Sequence, residues 1–246
     1  EVIKIWILFQ KNLIFLMNND NFHMERSLRE IFLIVLIFFV SMILLFLLIF
    51  PITEYIVPRN EVFSKKNLSI IFAMIWQISV LCFFIYYSKK NKLIKNFFGF
   101  TMPKSWKYFL FAWIGAYCIF IMYGLIIFLL EYFGLEISSL TEQQTLPLSK
   151  EDNVYFLIIM ILSVSILAPI TEEILFRGYM LQSLLTHFSI QVSSIISAIF
   201  FSIFHLQLSV LIPFMLVGWL FSIIRIKSES IWPSVFAHAS VNSISI

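Results

Sequence analysis

Apolar positions along this chain neither alternate nor recur at every third or fourth residue. They run on in blocks, separated by short clusters of Lys, Asn, Glu and Pro. The blocks cover 31–50 (ended by Pro51), 68–87, 108–130, 154–185 (passing through Ala168-Pro169), 190–205, 208–224, and 231 to the end. A transmembrane helix needs about 20 such residues. Barrel strands would instead alternate in segments of about 10. The pattern predicts an all-α fold, a polytopic transmembrane helix bundle of about seven spans. The seventh has 16 residues, 231 to 246, and is short for a span.

Composition agrees. The chain is 61% hydrophobic and 13% charged, against roughly 45–50% and about 25% in a soluble domain. A net charge of +3 gives no reason to invoke nucleic acid. Cys82 and Cys118 lie in apolar runs with no CxxC spacing, which excludes a disulfide framework or a cysteine zinc site and reads as two small buried hydrophobes. Heavy use of Ile, Phe, Lys and Asn fits an AT-rich bacterial genome, so the expected location is a bacterial cell membrane.

Charge between the blocks sets the orientation. Lys89, Lys90, Lys92, Lys95, Lys104 and Lys107 form the densest positive cluster, which places that loop, and with it Arg26 and Arg29, in the cytoplasm. Arg225 and Lys227 fall on the same side. Glu131, Glu136, Glu142, Glu151 and Asp152 fall outside, as do Arg59, Lys65 and Lys66, partly offset by Glu54 and Glu61. The N-terminus is therefore expected in the cytoplasm. Residues 1–23, ahead of Met24, read as an upstream extension or an amphipathic lead-in; 24–153 hold spans one to three, and 154–246 a core of spans four to seven.

The core carries the chemistry. Ionisable side chains at lipid depth are costly and mark functional sites. Here they are Glu172, Glu173, Arg177, His205 and His238, joined by the amide of Asn242. Spans four and five form a hairpin turning near His187. The glutamates stand 14–15 residues before that turn and His205 stands 18 after it, so their depths differ by only about 4–6 Å. Glu173 and Arg177 have the i,i+4 spacing of an ion pair, which leaves Glu172, about 100° away around the helix, free to serve a cavity. Span four is expected to be either long or broken at Pro169, where a kink is favoured; in the broken case Thr171 would cap a fresh helical start whose first turn holds both glutamates. His238 and Asn242, also i,i+4, share a face of span seven. A glutamate and a histidine can polarise water, while a second histidine and an amide can hold an oxyanion. That is a hydrolytic constellation without a serine or cysteine nucleophile.

Three motifs now stand out: Glu172-Glu173-Ile174-Leu175-Phe176-Arg177, Phe201-Ser202-Ile203-Phe204-His205 and His238-Ala239-Ser240-Val241-Asn242. In order and separation they resemble the EExxxR, FxxxH and HxxxN motifs of the CAAX protease and bacteriocin-processing (Abi-type) intramembrane glutamic endopeptidases. The resemblance covers about 154–246. It implies a helical core with a cavity open to the cytoplasm and the lipid. Glu172 would be the main water activator, assisted by His205; His238 and Asn242 would stabilise the oxyanion; Glu173 and Arg177 would shape the site. The family was once treated as metalloproteases. Here there is no HExxH, and two histidines on different helices are a poor zinc signature, so metal-independent hydrolysis is expected, with zinc as the disfavoured alternative.

The leading reading is an intramembrane endopeptidase acting on a peptide or membrane-protein substrate within the bilayer. One alternative is a non-catalytic bacteriocin immunity protein that binds in the membrane. Another, a transporter using the carboxylates as a proton relay, is weakened by the lack of repeated halves. A purely structural ion network would need no chemistry at all.

Overall fold

The computed structural model describes residues 27–56, 65–91, 95–135 and 154–245. The 1–23 lead-in, Arg26, Arg59, Glu61, Lys92 and the acidic residues of 136–153 lie outside the described residues. Among the described residues every regular element is helical: α1 (Leu28–Ile56), α2 (Lys65–Lys90), α3 (Lys95–Phe98), α4 (Lys107–Tyr132), α5 (Val154–Leu184), α6 (Ile190–Ile203), α7 (Leu211–Ser228) and α8 (Trp232–Ile244).

Five stretches are long and apolar enough to cross a bilayer: Leu28–Ile49, Leu68–Lys90, Lys107–Tyr132, Val154–Leu184 and Leu208–Ser228. The fifth and seventh expected spans are shorter. α6 has 14 residues and α8 has 13, each about 20 Å long. Local sequence explains the limits. Ser189 caps the start of α6 in extended backbone, its Oγ accepting from Val192 N at 3.4 Å. Leu206, at φ +52°, turns the chain just beyond its end. α7 stops where Glu229 takes a left-handed conformation at φ +58°, and Pro233 opens the first turn of α8.

The burial pattern is that of a protein solvated by lipid. Phe46, Ile121, Met122 and Phe128 face outward, while Ser163, Ser193, Ser197, Ser222 and Ser234 are buried between helices, where small side chains let backbones approach. Cys82 and Cys118 are free and exposed. They sit on the outer face, which corrects the expectation that they are buried; in lipid an outward apolar position costs nothing.

α5 is the hub, touching α1, α2, α3, α6, α7 and α8. One apolar cluster joins it to α1, α2 and α6 through residues such as Phe38, Phe84, Phe176, Tyr179 and Phe201. A second lies between α4, α7 and α8 around Ala112, Ala116, Phe221 and Ala237. The polar residues of α5 lie at the seam between the two clusters.

One end of the bundle is clasped by backbone. Arg225 Nη2 donates to Asn96 O and Phe97 O, both at 3.0 Å. Ile231 N donates to Gly99 O at 3.0 Å, Ser230 Oγ to Thr101 O at 2.6 Å and Thr101 Oγ1 to Glu229 O at 2.7 Å. The loop between α2 and α4 thus grips the α7–α8 turn.

Candidate active site

α5 is long and is not broken at Pro169. It runs through Pro169 by changing its winding. Residues Ile161–Leu167 and Ile174–Met180 are wound as π-helix, with the ordinary α-helical stretch Ala168–Glu173 between them. Proline lacks an N–H and its ring clashes with the carbonyl four residues back; a wider turn before it relieves both problems. The residues around Pro169 keep helical dihedrals and no side chain caps the stretch. Thr171 Oγ1 is buried with no hydrogen-bond partner among the described residues. The expected cap at Thr171 is therefore absent, and no fresh N-terminus supports the glutamates. Side chains do so instead.

Glu173 and Arg177 are wholly buried and joined by Arg177 Nη1 donating to Glu173 Oε1 at 2.8 Å. Arg177 Nη2 also donates to Gly218 O on α7 at 3.3 Å, and the guanidinium carbon lies 4.1 Å from the Phe201 ring centroid. His238 Nδ1 reaches the same Glu173 oxygen at 3.2 Å; facing a carboxylate, that nitrogen is the donor. A buried carboxylate needs such partners, because an unpaired one would be far costlier.

Glu172 points elsewhere and is one-fifth exposed. Its Oε2 stands 3.7 Å from His205 Nε2 and 3.8 Å from His238 Nε2. These separations exceed a hydrogen bond, as is common for catalytic contacts before substrate arrives. His205 Nδ1 donates to Phe201 O at 2.9 Å, since a carbonyl only accepts. In the neutral ring this leaves the Nε2 lone pair facing Glu172. The Phe214 ring packs edge-on against His205 at 4.3 Å between centroids and holds its plane.

The structure thus brings five of the six sequence-derived residues into one cluster. Asn242 lies one turn beyond His238, and its Nδ2 donates to Val164 O on α5 at 2.9 Å. A small cleft lies at His238 and Asn242 and is walled by Phe120, Phe201, Phe214, Val217, Phe221 and Val241. His187 lies in the α5–α6 turn, outside this cluster.

Several contributors carried little sequence signal. Phe214, Phe221 and the carbonyls of Gly218 and Val164 sit in apolar runs where nothing marks them. Gly218 alone left a trace, as a glycine within a span. A Cβ there would stand 3.1 Å from Ala198 Cα and from Phe201 Cδ1, so glycine is what lets α6 and α7 come together. Ser163 Oγ donates to Gln77 on α2 at 3.2 Å, a polar tie from the first half of the chain. Among the described residues no three His, Cys, Asp or Glu side chains form a group able to hold a metal ion.

Residues 154–244 match the family model of type II CAAX prenyl endopeptidase Rce1-like proteins, the segment that holds Glu172, Glu173, Arg177, His205, His238 and Asn242. Over this segment the chain is similar to the CAAX protease and bacteriocin-processing family. A Bacillus subtilis (strain 168) protein named "Putative membrane peptidase YdiL" is 32% identical over 85 residues, covering 35% of this chain and 35% of that one. The match thus spans about a third of the relative's length. No solved structure matches the chain. Family and apolar helices together make this a multi-pass membrane protein.

Proposed function

We propose that the chain is an intramembrane endopeptidase that hydrolyses a peptide bond with a water activated by Glu172 and His205. The observation that carries this reading is the convergence of two acceptors, Glu172 Oε2 and His205 Nε2, within 3.7 Å of each other, the Glu172 oxygen being buried with no hydrogen-bond partner among the described residues. Two converging acceptors suit a water that donates one hydrogen to each and turns its oxygen lone pair outward. Glu172 takes a proton as the water oxygen bonds to the substrate carbonyl carbon. The oxyanion is received by the Nε2–H of the His238 imidazolium, whose Nδ1–H is held by Glu173. Collapse breaks the C–N bond, and the proton passes from Glu172 to the departing amine. Glu173 and Arg177 neutralise each other behind the site and fix the ring of His238.

The phenylalanine-walled cleft beside His238 supports a substrate with an apolar side chain next to the scissile bond. In our reading the clasped end of the bundle faces the cytoplasm. Lys104, which pairs with Glu229 at 2.6 Å, and the Arg225 clasp put the positive residues of two loops at one end of the bundle, as the positive-inside rule asks of a cytoplasmic face.

Glu172→Gln and His205→Ala are each expected to slow processing by about 10²–10⁴-fold with unchanged amounts of protein in the membrane. Wild-type function in both variants would contradict the hydrolytic reading and leave binding alone. We also assign no metal to the reaction: a strong zinc chelator such as 1,10-phenanthroline should leave the rate unchanged, and loss restored by added zinc would overturn that assignment.

A further inference from the structure

The contact between Asn242 and Val164 depends on a carbonyl that the winding of α5 leaves over. In an α-helix Val164 O would accept from the N–H of Ala168. That N–H is spent one residue further back, on Ser163 O. In the π-winding that precedes it, Val164 O would instead accept from residue 169, and Pro169 has no N–H. Both backbone donors in register are thereby removed. A bare carbonyl between helices in lipid is costly, and Asn242 Nδ2 supplies the missing donor at 2.9 Å.

We infer that Pro169 and Asn242 act as one positioning device: the proline frees the Val164 carbonyl, and the asparagine uses it to set the depth of α8 against α5. The inference rests on the peptidase reading for its effect on rate, but not for the device itself. Other polar ties of α8 go elsewhere. Ser240 Oγ meets Trp113 and Tyr117 of α4, both at 2.9 Å, and Ser234 Oγ donates to Phe221 O of α7 at 3.4 Å. To α5 it is held by His238 on Glu173 and by Asn242 one turn further along. The second tie stops α8 from sliding or turning about the first. His238 then stays placed with Nδ1 on Glu173 and Nε2 towards Glu172, among Arg177 and His205, which face the same cluster. Asn242 is thus a positioning residue, and so is Pro169, which touches none of the reacting groups.

A double-mutant cycle on the full chain in detergent or lipid tests this. Asn242→Ala should lower the melting temperature by about 2–4 °C, the shift a single interhelical hydrogen bond gives in a chain of this size. Asn242→Asp should do the same, because a carboxylate offers a carbonyl no donor. In a Pro169→Ala background, where a backbone N–H can take Val164 O, Asn242→Ala should lower it no further. Processing should follow the same pattern: a loss of up to about 10²-fold for Asn242→Ala alone and little added loss after Pro169→Ala. The pH dependence of the residual rate should also move, because His238 is no longer fixed between its two carboxylates; lost stability alone does not produce that. Equal and additive losses in both backgrounds, with an unmoved melting temperature, would overturn the inference and give Asn242 to the substrate. Coupled melting in a chain with no proteolysis would keep the device and remove the peptidase reading, so the two fail separately.

Discussion

Arg177 shows how one side chain can hold a site together. It is wholly buried and gives one nitrogen to Glu173, another to the carbonyl of Gly218, and its flat face to Phe201. Lysine has the charge but neither the fork nor the plane. Arg177→Met should be the harsher change, since it leaves Glu173 buried with only His238; breaking a buried pair costs about 3–5 kcal/mol. We expect Arg177→Met to fail to accumulate in the membrane, and Arg177→Lys to accumulate with a lowered melting temperature and lost processing. Equal abundance and melting in all three forms would contradict this role. The ionisable members of the cluster were legible in the sequence because charges stand out in apolar runs, and the i,i+4 spacing separated Glu173 from Glu172. The carbonyls of Gly218 and Val164 were not legible, because every residue has a carbonyl and only the packing shows which ones are used.

Among the elements, α5 is where sequence and structure part. Its extent was readable to within a residue at either end, since an unbroken apolar run has only one helical solution in lipid. Its winding was not. An apolar sequence looks the same under i→i+4 and i→i+5 bonding, so Pro169 read as a kink and Thr171 as a cap, whereas the π-winding absorbs the proline within a continuous helix. The depth match between the glutamates and His205 survived because it depends on rise along the helices rather than on the exact turn. The α6–α7 contact gives a prediction at this scale. A side chain at Gly218 would press on Ala198 and Phe201, moving the helix that carries His205 and loosening the carbonyl that holds Arg177. Gly218→Val should therefore cost about 1–3 kcal/mol, the usual cost of overpacking, read as earlier thermal unfolding, with Gly218→Ala milder. No change for Gly218→Val would mean that the two helices are not held at this spacing.

At the scale of the whole molecule, the helix bundle was legible from hydropathy, while the shortness of α6 and α8 was only half visible. Blocks 190–205 and 231–246 have 16 residues each, which hinted at it for both; that α6 stops at Ile203, three residues before the turn at Leu206, was hidden in an apolar run. Orientation can be tested across α4, whose 26 residues reach about 39 Å. A single cysteine at Lys104 in a chain without Cys82 and Cys118 should react with a membrane-impermeant reagent only from the cytoplasm, and one at Tyr132 only from outside; the reverse would invert the topology. The central claim is that Glu172 drives hydrolysis of a peptide bond in the membrane. The most direct measurement compares, by mass spectrometry, the new peptide ends in membranes of cells making the wild-type chain, making Glu172→Gln at equal abundance, or lacking the chain. The account predicts a set of ends present only with the wild type and next to an apolar residue. Identical ends in all three samples would contradict it.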